Sequence, residues 1–71
     1  MAQITIGRKV LVKNLSLSYS DYRNLDGEIL EVHGDFASVA VAKKKISVED
    51  LRELRIIEDK AVVKVKLTSI A

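Results

Sequence analysis

The stretch DGEILEVHGDFASVAV, residues Asp26–Val41, predicts a β-hairpin and gives the clearest fold signal in the chain. Two runs of alternating apolar residues flank a tight turn at His33-Gly34-Asp35, where Gly34 can adopt the positive φ that short hairpin turns require. We expect Asp26-Gly27 to form a turn that leads into the first strand. Ile29 and Phe36 would lie on the outer face. The alternation directs five other side chains inward: Leu30, Val32, Ala37, Val39 and Val41.

The residues before this hairpin predict two strands followed by a long arm. Gln3–Ile6 and Lys9–Lys13 have strand patterns, and Gly7 marks a bend between them. Asn14–Asp26 is rich in Ser, Asn and Asp, which favour turns, yet Leu15, Leu17 and Tyr19 alternate within it. We therefore expect a long, irregular hairpin arm that is partly strand-like, a kind of loop in which binding residues concentrate.

The residues after the hairpin predict a mixture of turns and short strands. Leu51 and Leu54 have the spacing of one helical turn, and Ser47 with Asp50 resembles a capping box. The expected order is a turn at Lys43-Lys44-Lys45, a short strand at Ile46 and Val48, a helical turn at Glu49–Glu53, a strand at Leu54–Ile57, a turn at Glu58-Asp59-Lys60 and a strand at Ala61–Leu67.

The composition is that of one small globular domain. The chain has 71 residues, of which 48% are hydrophobic and 31% charged, and it contains no cysteine or proline. This balance argues against disorder and against a disulfide scaffold. No apolar run approaches the roughly 18–20 residues of a membrane helix, and the N-terminal MAQITIGRK has no signal-peptide core. We expect a cytoplasmic protein. The net charge of +2 is too small to indicate nucleic-acid binding by itself.

The order of the predicted elements is that of an SH3-like barrel. We expect an all-β fold: a small SH3-like barrel of five or more strands over about residues 3–57, with one short helical turn and an added C-terminal strand or hairpin at 61–67. The segments GRKVLVK (7–13), DGEILEVHGDFASVAV (26–41) and ISVEDLREL (46–54) resemble SH3-like families, especially the KOW type. That resemblance implies contacts with RNA or with partner proteins.

Two further resemblances concern parts of the same segments. GEILEVHGDFASVAV is similar to the hairpin of small SH3-like accessory subunits in photosynthetic electron-transfer complexes, which implies docking on other proteins without a cofactor. IGRKVLVK resembles the opening of an Sm-like protein, but the Asp and Asn pattern of the Sm RNA site is not reproduced after Gly27. Glu28 and Glu31 on the hairpin strand argue against phosphate binding by that strand.

Two functional hypotheses follow. In the first, the protein is a small non-enzymatic protein-interaction module: an adaptor, a regulator or an accessory subunit of a larger complex. In the alternative, it is an RNA- or DNA-binding KOW-like module. Both hypotheses compete with a purely structural explanation, in which the tyrosines pack the arm against the barrel and the lysines are only solvated. Partner binding is assigned to Tyr19, Tyr22, Arg23 and Phe36, and nucleic-acid binding in the alternative to Arg8, Lys9, Lys13, Lys43, Lys44 and Lys45.

No group of residues in the sequence predicts catalysis, a cofactor or a metal site. His33 is the only histidine, and no cysteine or Gly-rich phosphate loop accompanies it. Turn chemistry explains the acidic pairs Asp26 with Glu28 and Glu49 with Asp50. We therefore expect that the protein is not an enzyme.

The last predicted strand leaves a question about assembly open. Ala61–Leu67 either closes the barrel or pairs with a partner or with a second copy of the chain, forming a homo-oligomer. Lys64 and Lys66 are charges of the kind that discourage pairing at a sheet edge.

Overall fold

The computed structural model describes residues 5–71, and within them the chain forms one antiparallel sheet of five strands. The elements are β1 (Lys9–Ser16), β2 (Asp21–His33), β3 (Phe36–Ala42), α1 (Val48–Leu51), β4 (Arg55–Ile57) and β5 (Lys60–Lys66). Their order across the sheet is β1-β2-β3-β5-β4. The expected small all-β fold is therefore confirmed.

The predicted central hairpin is formed by β2 and β3. His33 pairs with Phe36, so Gly34 and Asp35 make a two-residue turn, and Gly34 has the expected positive φ of 59°. The alternation predicted for the second strand is also confirmed. Its buried residues include Ala37, Val39 and Val41.

The alternation predicted for the first hairpin strand is wrong at Leu30. Ile29 is fully buried, with 0% of its surface exposed, and Leu30 is only partly buried. The reason is a bulge, because the pairing register shifts between Ile29 and Glu31 and leaves Leu30 as an extra residue. Val32 pairs with buried Ala37 but is itself 38% exposed near the end of the hairpin.

Asp26 and Gly27 do not form the expected turn, because β2 continues through both residues. Gly27 is instead needed for close packing. A Cβ atom at this position would collide with Cγ1 of Val39 and lie 3.1 Å from the carbonyl oxygen of Ala40. A glycine in a strand can mark such a close approach as well as a bend.

The arm expected at Asn14–Asp26 is mostly regular ladder. β1 and β2 pair in one register as far as Ser16 opposite Asp21, and the Ser16 hydroxyl donates a 2.6 Å hydrogen bond to the Asp21 carboxylate. Only residues 17–20, the β1–β2 loop, lie outside the strands. The Leu17 N–H donates to the Ser20 carbonyl at 3.0 Å and closes this loop.

The connection from β3 to β4 is helical. Lys43–Lys45 forms a 3₁₀ turn, in agreement with the predicted turn, and α1 begins one residue before the predicted helical segment. The strand expected at Ile46 and Val48 is absent from this connection. Ile46 packs into the core, and Val48 begins the helix after Ser47 at its N-cap.

The C-terminal hairpin is part of the sheet. β4 and β5 flank a turn at Glu58 and Asp59, as expected, and Glu58 adopts a positive φ of 56°. β5 also pairs with β3 along its whole length, from Lys60 to Lys66. The strand therefore extends the sheet rather than lying outside it.

The end of the chain returns to β1. After a 3₁₀ turn at Leu67–Ser69, Ile70 forms a β-bridge with Val12, and Ala71 exchanges backbone hydrogen bonds with Leu11 at 2.9 and 3.2 Å. The two strands at the ends of the described sheet, β1 and β4, do not pair with each other. The last two residues thus cover part of the free edge of β1.

The predicted strand Gln3–Ile6 begins outside the described residues. Thr5 and Ile6 lie in a turn in which the Arg8 N–H donates to the Thr5 carbonyl at 3.2 Å. The predicted strand Lys9–Lys13 is confirmed as the start of β1. None of the helical segments within residues 5–71 has the length and apolar character needed to cross a membrane.

The core occupies the inner face of the sheet and is built mainly from β-branched side chains. Such side chains pack well on a pleated surface, which is why alternating valines favour strands here. Leu17, Tyr22, Leu51 and Leu54 pack against its margin. The core cluster consists of Val10, Val12, Leu15, Leu25, Ile29, Ala37, Val39, Val41, Ile46, Ala61, Val63 and Val65.

Candidate functional site

A buried carboxylate joins the β1–β2 loop to α1. Asp50 is only 2% exposed and is the one buried charged side chain among the described residues. It accepts hydrogen bonds from the Ser47 hydroxyl at 2.8 Å and from the backbone N–H of Tyr19 at 3.1 Å, and the Ser20 hydroxyl lies 3.4 Å away. A buried charge of this kind costs free energy unless hydrogen bonds satisfy it, and these donors do so.

The phenol of Tyr22 completes this group. Its oxygen accepts hydrogen bonds from the Ser47 N–H at 2.8 Å and from the Ser20 hydroxyl at 2.8 Å. Its own hydroxyl faces the Asp50 carboxylate at 3.5 Å, a long contact. We call Tyr19 N–H, Ser20, Tyr22, Ser47 and Asp50 the Asp50 cluster. It fastens three separate segments together: the β1–β2 loop, the start of β2 and the start of α1.

The cluster shows which part of the predicted capping box is formed. Ser47 is the N-cap residue of α1, as expected. In a capping box, the carboxylate three residues on accepts the N-cap backbone N–H. Here the Ser47 N–H donates to Tyr22 instead, and Asp50 accepts the Ser47 hydroxyl. The N-cap of α1 therefore depends on Tyr22 in β2, which lies 25 residues earlier in the chain.

Hydrogen bonds lower the pKa of Tyr22. The hydroxyl of Ser20 contributes most and Ser47 next, so the phenol ionises below its usual pKa of 10.0, although partial burial and the charge of Asp50 oppose this change. The pKa is lower in the folded chain than in the unfolded chain. Between these two pKa values the unfolded chain binds more protons than the folded chain. The contribution of Tyr22 to the free energy of unfolding therefore grows as the pH rises from the folded pKa to the unfolded pKa.

An ultraviolet-absorbance titration tests this direction, because the chain has two tyrosines and no tryptophan. We expect one tyrosine to ionise at lower pH in the folded protein than in the urea-unfolded chain. That early transition should vanish in Tyr22→Phe. If the early transition persists in Tyr22→Phe, the assignment to Tyr22 is wrong.

The structure separates the four residues predicted to bind a partner. Tyr19 is 64% exposed, whereas Tyr22 is partly buried and engaged in the Asp50 cluster. Arg23 is exposed on β2. Phe36 begins β3 opposite His33, and the Lys64 ammonium lies 4.7 Å from its ring centroid. Tyr19 is therefore the one aromatic of this group that the Asp50 cluster presents to solvent.

A groove opens beside α1 and the β4–β5 turn. It has a volume of about 540 Å³ and a mainly apolar lining. Val48 lies at its margin and is 65% exposed. We call Tyr19, Val48 and this groove the α1 surface. The groove is lined by Ala42, Lys43, Lys44, Ile46, Val48, Leu51, Glu58 and Asp59.

The basic residues of the nucleic-acid hypothesis are mixed with acidic ones. Some line the groove, and others line a shallow hollow of about 480 Å³ on the face of β1, β2 and β3. Arg8, Lys13 and Lys45 line neither. In each place two carboxylates offset the positive charge: the hollow has Lys9, Lys60, Asp26 and Glu28, and the groove has Lys43, Lys44, Glu58 and Asp59.

Sequence patterns did not identify Asp50 or Val48 as site residues. Asp50 was expected as a helix cap and, with Glu49, as a polar turn residue. No local signal marks an aspartate that is buried by residues about 30 positions away. Val48 was expected in a strand. Its exposure in a helix that is otherwise anchored is the feature that distinguishes it.

No group of three or more metal-ligating side chains is assembled within residues 5–71. His33 lies at the exposed hairpin end, with its Nε2 atom 3.2 Å from the Glu31 carboxylate. Comparison with known proteins gave no match to any family model, to any curated protein or to any solved structure.

Proposed function

We propose that this protein is a small non-enzymatic protein-interaction module that binds its partner through the α1 surface. One observation carries the proposal: Tyr19 is 64% exposed although its own backbone N–H is held by the buried Asp50 carboxylate at 3.1 Å. A large aromatic side chain is thus presented from a loop whose backbone is fixed. Tyrosine is among the residues most enriched at the energetic centres of interfaces.

Fixing the loop favours binding by lowering its entropic cost. A side chain on a mobile loop loses backbone and side-chain freedom when it is captured, which reduces the net affinity. The Leu17–Ser20 hydrogen bond and the Asp50 cluster have already restricted the β1–β2 loop in the free protein. Only the side-chain torsions of Tyr19 then remain to be ordered.

The groove supplies the second part of the proposed interface. Its lining combines the apolar side chains of Ile46 and Leu51 with two lysines and two carboxylates, those of Glu58 and Asp59. An apolar centre with a charged rim is the usual composition of a protein interface. A partner would place apolar side chains in the groove and charged side chains opposite its lysines and carboxylates.

The test is quantitative capture of partners by the tagged protein, compared among three matched forms. The double variant Tyr19→Ser/Val48→Ser removes the two exposed apolar side chains of the α1 surface. The control Ile6→Ser/Ile57→Ser removes two exposed apolar side chains elsewhere. Because all four side chains are exposed, we expect the free energy of unfolding of each variant to lie within about 1 kcal/mol of that of the parent.

We expect the Tyr19/Val48 variant to recover its specific partner about tenfold less well, because truncation of an interface anchor typically costs more than about 1 kcal/mol. The control should recover that partner at the parent level. Equal recovery by both variants would remove the α1 surface from the interface.

The alternative proposal, an RNA- or DNA-binding module, draws support from the lysines at the groove and the hollow. Each of these surfaces also carries two acidic residues, so the positive potential is partly cancelled. The alternative requires oligonucleotide binding that weakens steeply with salt and is lost in Lys43→Glu/Lys44→Glu. The mixed charge makes protein binding the stronger proposal.

We also propose that the sheet is a variant of the SH3-like barrel. The order of β1, long hairpin strands, helical segment and C-terminal hairpin supports this. So does the return of Ile70 and Ala71 to β1. Barrels of this kind commonly serve as scaffolds on which loops carry the binding residues.

A further inference from the structure

A short stretch of backbone is left without a strand partner on one side of β5. β5 spans Lys60–Lys66 and pairs with β3 over its full length, but β4 pairs with it only from Lys60 to Val62. Before Arg55 the chain turns away into the bend that follows α1. The second side of β5 is therefore uncovered from Val63 to Lys66 within the part of the chain that the structure describes.

The register identifies which backbone groups face this open side. At the two ends of the β3–β5 ladder, the Leu67 N–H donates to the Asp35 carbonyl at 2.9 Å and the Lys43 N–H to the Asp59 carbonyl at 3.0 Å. Residue pairs alternate between bonded and non-bonded along an antiparallel ladder. Positions 61, 63 and 65 therefore bond to β3, and the N–H and C=O of Lys64 and Lys66 face away from it.

The side chains around this edge are basic and partly apolar. Lys64 and Lys66 are exposed, and the Lys64 ammonium lies over the ring of Phe36. A pocket of about 370 Å³ lies at the end of the β3–β5 ladder and is lined by Asp35, Phe36, Lys66, Leu67 and Thr68. An added strand would thus find backbone partners and positive charge together along the open edge.

We propose that the open edge of β5 binds an extended acidic segment of a partner protein by adding it as an antiparallel strand. The inference goes beyond the α1 surface and does not depend on it. Backbone hydrogen bonds would come from Lys64 and Lys66, and acidic side chains on the same face would lie opposite the two lysines. A second copy of β5 fits less well, because its lysines would face these lysines and like charges repel across strands.

The probe is a fluorescein-labelled heptapeptide of alternating valine and glutamate, titrated with the full chain and followed by anisotropy. In the proposed pairing, each glutamate opposite Lys64 or Lys66 exchanges N–H and C=O bonds with it, and the valine N–H groups point away. N-methylation of the glutamates should therefore weaken binding about tenfold or more, because it removes the N–H donors that face Lys64 and Lys66. N-methylation of the valines is the matched control and should leave affinity nearly unchanged.

Variants of the protein test the same pairing from the other side. Lys64→Glu/Lys66→Glu should weaken binding of the glutamate peptide about tenfold and favour a peptide in which lysine replaces glutamate. The control Lys13→Glu/Lys45→Glu makes the same change in charge away from the edge and should have little effect. Lys64→Pro removes an N–H that faces the open side together with one positive charge, and it leaves the bonds to β3 intact. The variant should therefore fold, but it should bind the glutamate peptide poorly.

Three results would overturn the proposal. The first is equal affinity for the two N-methylated peptides, which would mean that charge alone attracts the probe. The second is the absence of binding at low salt, which would mean that the lysines only protect the edge from pairing. The third is a dimer in sedimentation that Lys64→Pro abolishes, which would assign the edge to a second copy of the chain.

Discussion

Replacement of Asp50 by alanine is expected to lower the free energy of unfolding by about 3 kcal/mol. The substitution removes the acceptor for the Tyr19 N–H and for the Ser47 hydroxyl, a carboxylate whose residue is only 2% exposed. Leaving buried donors without partners costs about 1–3 kcal/mol for each group. A domain of this length is stabilised by only about 5 kcal/mol, so a large fraction of the Asp50→Ala molecules should be unfolded at elevated temperature. Urea denaturation monitored by circular dichroism measures the change.

Glu49→Ala is the matched control, because it removes the neighbouring carboxylate in the same helical turn. Glu49 is exposed, so its loss should change the free energy of unfolding by less than about 0.5 kcal/mol. Asp50→Asn should fall between the two, since the amide keeps one oxygen acceptor but loses the charge. If Asp50→Ala unfolds at the same urea concentration as Glu49→Ala, the cluster is not a source of stability.

Replacement of Gly27 by alanine is expected to lower the free energy of unfolding by about 2–3 kcal/mol. The new Cβ would collide with Cγ1 of Val39, which is fully buried, and would lie 3.1 Å from the Ala40 carbonyl oxygen. Overpacking a well-filled core costs about 1–3 kcal/mol because neighbours must leave their preferred rotamers or the backbone must move. The midpoint of urea denaturation reports this loss.

Gly34→Ala gives the comparison, because a Cβ there meets no atom within 4 Å. Its cost of about 1 kcal/mol comes only from the positive φ of 59°. In Gly27→Ala/Val39→Ala the colliding methyl is gone, so the double variant should lose less stability than the sum of the two single losses. Strict additivity would show that the collision is not the cause.

The sequence predicts the parts of the fold that depend on neighbouring residues. The alternating valines of β1, β3 and β5 mark their inner faces, and Gly34 marks the hairpin turn. The last strand was recognised in the same way. The strand pattern alone does not predict that this strand lies between β3 and β4. Its neighbours depend on how all the strands of the sheet pack together.

The errors have physical causes that lie far away in the sequence. Strict alternation places Leu30 inward, but a single bulge shifts the pairing register at this residue, and Ile29 is buried instead. Gly27 has the composition of a turn but serves close packing against Val39. Asp50 looks like a surface cap, and its burial follows only from the position of the β1–β2 loop.

The same long-range contacts shape the candidate site. Tyr19 and Tyr22 are three residues apart in the sequence, yet one is exposed and the other is held within the Asp50 cluster. Sequence reasoning treated them as equivalent anchors. The structure separates them: Tyr22 helps to fix the loop, and the side chain of Tyr19 is exposed to solvent.

Amide hydrogen exchange of Tyr19, followed by NMR, tests the central claim most directly. The claim is that Asp50 fixes the β1–β2 loop so that an exposed tyrosine is presented by a rigid backbone. It predicts that the Tyr19 amide exchanges far more slowly than an unstructured peptide amide, although it lies in a loop, and that Asp50→Asn accelerates it selectively. Exchange of the Tyr19 amide at the unstructured rate in the parent protein would contradict the claim.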